Sequence, residues 1–245
     1  METRIDEIAD RIYRLSTFLP DTAPPAGITF NQFLIDADEP LLFHCGQRFL
    51  FPTISAAAAR IIDLNRLRWI TFSHVESDEC GSLNEWLAAA PNATAAHGRI
   101  GCNIWLNDTA IRPPRRLAHG ETIDLGGKRA RRIDTPHVPH CWDAGLVFEE
   151  TTRTLFSSDL LFQSGDGPAI ATTDILPAAL DAEEKFRATG ITTETPSTVR
   201  KLAALEPRTI AIMHGSTITG AVVPVLEGLA KYYEQKLRQA LEGQG

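Results

Sequence analysis

No stretch of the sequence is apolar for long enough to span a bilayer, and positive charge is in the minority. There are 24 Lys and Arg against 31 Asp and Glu, a formal net charge of −7. That balance argues against a nucleic-acid or anionic-membrane partner, because no basic stripe offsets the acid. The clusters Arg112 to Arg116 and Lys128 to Arg132 are the local exception and read as a solvated hairpin. Cysteine is scarce and dispersed: Cys45, Cys80, Cys102 and Cys141 form no CxxC pair, which fits reduced thiols in a reducing compartment better than a disulfide framework. The opening METRIDEIADRI has four acids and no apolar core, so it is neither a signal peptide nor a membrane anchor, and cytoplasmic residence is the expectation. A glycine-rich nucleotide loop is missing, as are low-complexity tracts and linkers. What is present is 245 residues with 43% hydrophobic content, enough for a substantial core in one domain spanning 1–245.

Apolar periodicity orders the chain in two rounds. Ile12 to Thr17, Thr29 to Asp36 and Pro40 to Cys45 read as strands of an antiparallel meander. A helix over Phe51 to Leu64 follows, then a strand from Arg68 ending at His74, a helix over Gly81 to Ala90, a strand over Ala93 to His97 and a helical segment over Arg99 to Leu106. The second round has strands at Glu121 to Leu125, Lys128 to Asp134, Gly145 to Glu150, Thr154 to Ser158 and Arg208 to Met213. Its helices lie near Ala178 to Thr189, Ser197 to Leu205 and Gly220 to Leu241. Strands followed by helices, twice over, predict an α/β protein of four layers, two mixed sheets packed together with helices outside both. The last helix carries an apolar stripe of Val222, Val225, Leu226, Leu229, Tyr232, Tyr233 and Leu237, suited either to cover a sheet or to form a homodimer seam.

Metal-binding side chains gather where apolar runs stop. His74, Glu76 and Asp78 follow the strand Trp69 to Ser73, and in an extended segment residues two apart point the same way, so the three can converge. Leu155 to Ser158 delivers Asp159, Thr209 to Met213 delivers His214, and the loop after Asp134 carries His137 and His140. Each alone has a dull explanation, such as a helix cap or a hydrogen-bonded structural histidine. Together with the tight HxExD cluster they point to a metal site. His44, at the end of the third strand, suits a partner that orients a ligand equally well as a structural role. His97 and His119 have no supporting neighbours, and Trp142 and Phe162 are suited to wall a metal pocket or to pack in the core.

The order His74-x-Glu76-x-Asp78, Gly81-Ser82-Leu83, His140, Phe156-Ser157-Ser158-Asp159, His214-Gly215 resembles the metallo-β-lactamase superfamily. More narrowly it is similar to the di-iron domain of flavodiiron proteins and to the flavodoxin-free oxygen-binding di-iron proteins, over about residues 28 to 218. The resemblance implies an αββα sandwich with a dinuclear centre at one edge. Position by position it implies that His74, Glu76 and His140 bind one metal and Asp78 and His214 the other, with Asp159 bridging ions about 3.5 to 4 Å apart. His140 is preferred to His137 because His140-Cys141-Trp142-Asp143 loosely matches the family's His-Trp-Pro-Asp. Glu79 departs from the family, which often has His directly after the Asp. Three roles stay open for it: a further ligand, a hydrogen-bond partner of bound water, or neither.

The implied ligands include three carboxylates and no thiolate, and hard oxygen suits iron, although zinc competes at an open site. The implied cofactors are two iron ions, with two zinc ions as the alternative and no flavin bound by this chain. Two function classes follow. One is a non-haem di-iron protein that binds dioxygen or nitric oxide as a sensor or carrier, or as a reductase with an external electron donor. The other is a dinuclear zinc hydrolase acting on an ester, thioester or amide. Because the sequence stops at Gly245, reduction is expected to need a separate flavodoxin- or rubredoxin-like donor, and sensing a signalling partner.

Overall fold

Successive side chains of a strand point to opposite faces, so a strand that is apolar on both faces must be covered on both. Strand β3 (Ile28–Ile35) is such a case, buried at all eight residues. Phe33 and Ile35 enter one core cluster and Leu34 another. The same division repeats across the molecule and makes its layers. The computed structural model describes residues 2–242.

The first sheet has the order β1 (Thr3–Ala9), β2 (Ile12–Leu19), β3, β4 (Leu41–Phe43), β5 (Trp69–Thr71), β6 (Thr94–Gly98) and β7 (Arg115–Leu117). Pairing is antiparallel from β1 to β4 and parallel from β4 to β7. The second sheet runs, in sequence order, through β8 (Thr122–Asp124), β9 (Arg129–Asp134), β10 (Gly145–Glu149), β11 (Thr154–Ser158), β12 (Thr209–Ile212) and β13 (Ile218–Thr219). Only β11 and β12 are parallel there.

Outside the first sheet lie α1 (Phe51–Ala58), the single turn α2 (Ser77–Cys80), α3 (Leu83–Ala89), α4 (Arg99–Gly101) and α5 (Asn107–Thr109), the last two joined by a π-helical stretch at Cys102–Leu106. Ile54, Leu83, Trp86, Leu87 and Leu106 from these elements meet Leu34, Leu42, Ile70 and Phe72 of the sheet side. Outside the second sheet lie α6 (Leu176–Phe186), α7 (Thr195–Ala203) and α8 (Val222–Glu242). Leu226, Leu229, Ala230 and Tyr233 of α8 pack on Leu155, Ile210 and Ile212, so its apolar stripe covers a sheet. Between the sheets, Phe156 stands against Phe33 at 5.5 Å and Phe43 at 5.2 Å, ring centre to ring centre. Burying each such ring stabilises the sandwich by about 1.5–3 kcal/mol. Two mixed sheets with helices outside both are the expected αββα arrangement. Among the described residues no helix is long and apolar enough to cross a membrane.

Four local expectations are corrected. The helix that begins at Phe51 ends at Ala58, where the main-chain bonds shorten to Arg60 N–H on Ala57 O and Ile61 N–H on Ala58 O, and a separate short turn at Leu64–Arg66 is capped by Asp63, which accepts from the main-chain N–H of Asn65 at 3.0 Å. Strand β1 is present although its sequence TRIDEIA reads as polar, since an edge strand needs only one covered face. The basic hairpin is not uniformly solvated: the Arg132 side chain is fully buried. It donates to Asp134 Oδ1 at 3.1 Å, Phe72 O at 3.2 Å and Asp143 O at 3.0 Å, tying the end of β5 to the loop that carries His140. Trp142 is exposed and lines a cleft of about 380 Å³ with Arg99, His119 and Asp134, so it neither packs in the core nor walls the metal-ligand cluster.

Candidate metal centre

The carboxyl ends of β5, β11 and β12 open on one edge of the sandwich, and each is followed within three residues by a candidate ligand: His74, Asp159 and His214. Crevices at the carboxyl ends of strands are where open α/β sheets place their ligands. His74 is buried, with Nε2 2.9 Å from Glu76 Oε2 and 3.6 Å from Asp159 Oδ2. His140 arrives from the loop between β9 and β10, its Nε2 2.8 Å from the same Glu76 oxygen and 3.6 Å from the same Asp159 oxygen. On the other side of Asp159, His214 Nε2 lies 3.2 Å from Oδ1 and 3.3 Å from Asp78 Oδ2. Asp159 thus turns one oxygen toward His74, His140 and Glu76, and the other toward His214 and Asp78.

The fit to metal follows from the donor atoms. Ligand atoms of His74, Glu76, His140 and Asp159 lie within 4.8 Å of one another. His214 Nδ1 donates to Thr29 O at 2.9 Å, since a carbonyl only accepts, so Nε2 is the nitrogen left for the carboxylates or for an ion that replaces its proton. The donors around Asp159 are carboxylate oxygens and imidazole nitrogens, which iron, manganese and zinc accept; the Cys141 sulfur also lies within 4.8 Å of ligand atoms of His74 and His140, but burial pushes its thiol up to about 11. His137 is exposed on the far side of its loop and joins no such group, so the loop contributes His140.

The charges respond to this crowding. Burial opposes a proton on His74, but Glu79, Glu76 and Asp159 outweigh it and hold its pKa at about 10. His214 behaves alike: burial opposes the charge, Asp159 and Asp78 prevail, and the pKa stands at about 10. His140 is raised as well, against burial, mainly by its hydrogen bond to Glu76. Hydrogen bonds from His140 and His74 pull Glu76 down to about 2. Burial works against ionisation of Asp159, yet His214, His74 and His140 hold it below the ordinary carboxylate range. Protons on the imidazoles therefore stand where cations would.

Glu79 and His44 lie behind this cluster. Glu79 is fully buried: its Oε2 accepts from the main-chain N–H groups of Ser73 and His74, both at 2.9 Å, and its Oε1 accepts from the Ser158 hydroxyl. Burial is the main influence on its carboxyl, pushing it up to about 7. His44 is also fully buried, with Nε2 3.3 Å from Glu79 Oε1 and Nδ1 3.0 Å from Met213 Sδ. Burial takes its pKa down to about 3. The helical turn α2 causes this division, because it turns Glu79 back beneath Ser73 while Asp78 stays at the front.

A cleft of about 170 Å³ opens onto the cluster, lined by Glu76, Asp78, His140, Asp159 and His214 on one side and Ile28, Phe162, Phe186 and Ala188 on the other. Phe162 stands edge-on to His214 at 5.0 Å and to Phe186 at 5.1 Å. Sequence reasoning singled out Phe162, and Ser158 only as part of the run leading to Asp159, but not Ile28, Phe186 or Thr29. Asn31 was missed too: its Nδ2 donates to Ile212 O at 2.8 Å and Gly215 O at 2.9 Å, pinning the loop that holds His214 to the first sheet. None of these carries a local signal, since each acts through a partner distant in sequence.

A model of the ODP family beta lactamase matches residues 28–215 of the chain. Rubredoxin-oxygen oxidoreductase of Megalodesulfovibrio gigas is 22% identical over 225 residues, 88% of this chain and 56% of that protein. The anaerobic nitric oxide reductase flavorubredoxin of Pectobacterium carotovorum is 27% identical over 141 residues, 56% of this chain and 28% of that protein. The chain thus spans between 28% and 56% of the length of these curated relatives. Among solved structures, a mutant flavo di-iron protein from Thermotoga maritima superposes with a TM-score of 0.83 at 18% identity, covering 95% of this chain and 62% of that one. The matched span contains each candidate ligand described above, from His74 to His214, and the chain belongs to the ODP family of metallo-β-lactamase-like domains, the fold of the di-iron domain of flavodiiron proteins.

Proposed function

We propose that this chain holds two iron ions and takes up dioxygen or nitric oxide at them, reducing the bound gas when a separate flavodoxin- or rubredoxin-like donor supplies electrons. The observation that carries the reading is Asp159, whose two oxygens face two separate groups of ligating atoms at 3.2 to 3.6 Å. In it, His74, Glu76 and His140 hold one ion, Asp78 and His214 the other, and Asp159 is shared. Bound iron would supply the redox change and the open coordination positions that side chains alone lack. The chain's own residues do the rest. Thr29 fixes the tautomer of His214, Arg132 anchors the loop bearing His140, and Phe162 with Phe186 and Ile28 keeps one wall of the cleft dry. The small apolar-walled cleft suits a diatomic ligand better than an extended acyl substrate, which weighs against the zinc hydrolase alternative. The names of the two curated relatives, an oxygen oxidoreductase and a nitric oxide reductase, support the same reading.

Metal analysis of protein from cells grown with ample iron tests it. The expected result is about two irons per chain, with an absorption change on reduction and again on exposure to air. Tightly bound zinc with no such change, together with turnover of generic esters or thioesters by the zinc-loaded protein, would overturn it in favour of hydrolysis.

A further inference from the structure

We infer that Glu79 is a positioning residue for His74, holding a proton on Nδ1 so that Nε2 is presented to a metal ion. The inference rests on the ligand assignment proposed above and concerns a residue that stands outside it. Five contacts make the case. The two main-chain N–H groups on Oε2 lock the carboxylate in place, at 2.9 Å each. The other oxygen, Oε1, accepts from Ser158 and lies 3.4 Å from His74 Nδ1 and 3.3 Å from His44 Nε2. A carboxylate anchored this way only accepts, so the ring nitrogen facing it must be the N–H of His74. Nε2, which faces Glu76 and Asp159 at 2.9 and 3.6 Å, is then the nitrogen whose proton an ion displaces, while the Nδ1 proton stays behind with Glu79.

Ser73 Oγ also approaches His74 Nδ1, at 3.0 Å, but a hydroxyl donates as readily as it accepts and cannot select the tautomer. Selection falls to the carboxylate. The arrangement is a carboxylate–histidine–metal relay, in which the outer carboxylate fixes the ring and raises its basicity. It also explains why a charged side chain occupies a fully buried position three residues after Glu76 without facing the cleft.

Glu79→Gln is the discriminating substitution. If the amide keeps its oxygen on the two main-chain N–H groups, its NH2 faces His74 Nδ1 and forces the wrong tautomer. If it turns over, the NH2 opposes two donors instead. Zinc serves as the probe, being diamagnetic and redox-silent. In chelator competition the wild-type protein should bind two zinc ions, and Glu79→Gln should bind one of them about 10- to 100-fold more weakly and the other as before. Ser73→Ala should bind both nearly as the wild type does. In the zinc-loaded wild type, long-range nitrogen–proton spectra of the imidazoles should show His74 protonated at Nδ1, which needs no variant to fold. Unchanged affinity for both ions in Glu79→Gln would overturn the inference while leaving the metal centre standing, whereas a His74 proton on Nε2 in the zinc-loaded protein would take that nitrogen away from the metal and overturn the ligand assignment together with the inference. Failure of the wild type to bind two ions would also sink the ligand assignment, and this inference with it.

Discussion

Metal uptake should depend steeply on pH, because protons occupy the ligand nitrogens of the metal-free protein. His74 and His214 each stand at about 10, held there by acid neighbours against the opposing effect of burial. In an unfolded chain the same groups titrate near about 6.5. The raised values therefore contribute stability to the metal-free fold that is fully present below about pH 6.5 and lost as pH rises through about 10. Glu76, drawn down to about 2, has the opposite sense: its contribution is present above about pH 4.5 and lost as pH falls through about 2. An ion binds only deprotonated imidazole, so it must expel a proton from His214 or from His74. Throughout the range from about pH 6 to about pH 8, each proton displaced strengthens apparent binding about tenfold per pH unit. The ion at His214 should thus bind about 100-fold more tightly at the upper end of that range than at the lower. The ion at His74 should gain at least as much, since His140 is raised beside it. Zinc titration against a chelator at several pH values, with proton release followed in weak buffer, measures both quantities. Affinity that is flat after correction for the chelator, or release of much less than one proton per ion, would mean the imidazoles are neutral. The charge pairing derived from the geometry would then be wrong.

Asp159→Ala should bind at most one ion tightly while the sandwich persists by circular dichroism, because both ligand groups lose a shared oxygen donor; two ions retained at wild-type affinity would refute the bridging role. Asn31→Ala removes the donors to Ile212 O and Gly215 O and strips the buried Arg14 of an acceptor at 3.1 Å. A loss of about 2–4 kcal/mol in urea unfolding is expected, together with weaker binding at His214, and a change near zero would show that the pin is not needed.

Much of this was legible in the sequence for a simple reason: a buried strand announces itself by apolar alternation, and the residue at which the run stops is at the sheet edge. Thr71 to His74, Ser158 to Asp159 and Ile212 to His214 are all of that kind. The layers were legible too, since Phe33 and Leu34, or Leu155 and Phe156, must be buried on opposite faces. What escaped was either too short for a period or decided at a distance. Strands β7 and β13 have three and two residues. The turn α2 has four, and it bends the segment that a purely extended reading would keep straight. Arg132 belongs to an ordinary basic run until Phe72 O, sixty residues away in sequence, becomes its acceptor.

Placing Glu79 behind the ligands alters the charge count at the centre. Glu76, Asp78 and Asp159 face the cleft, and three carboxylates leave a pair of divalent ions with a surplus of about one positive charge. Glu79, without access to solvent, sits against His74 and offsets that remainder through the imidazole. An ionised carboxylate so deeply buried is costly unless a cation lies nearby. In the metal-free protein the positive charges close to it among the described residues are protons on histidines, and burial pushes its carboxyl up to about 7. Occupation by two cations removes that conflict, because the ions provide the compensating charge that burial denies. If two ions bind as proposed, the back of the site favours the metal-loaded state as well as the front, and metal binding should stabilise the fold by more than the visible ligands alone would supply.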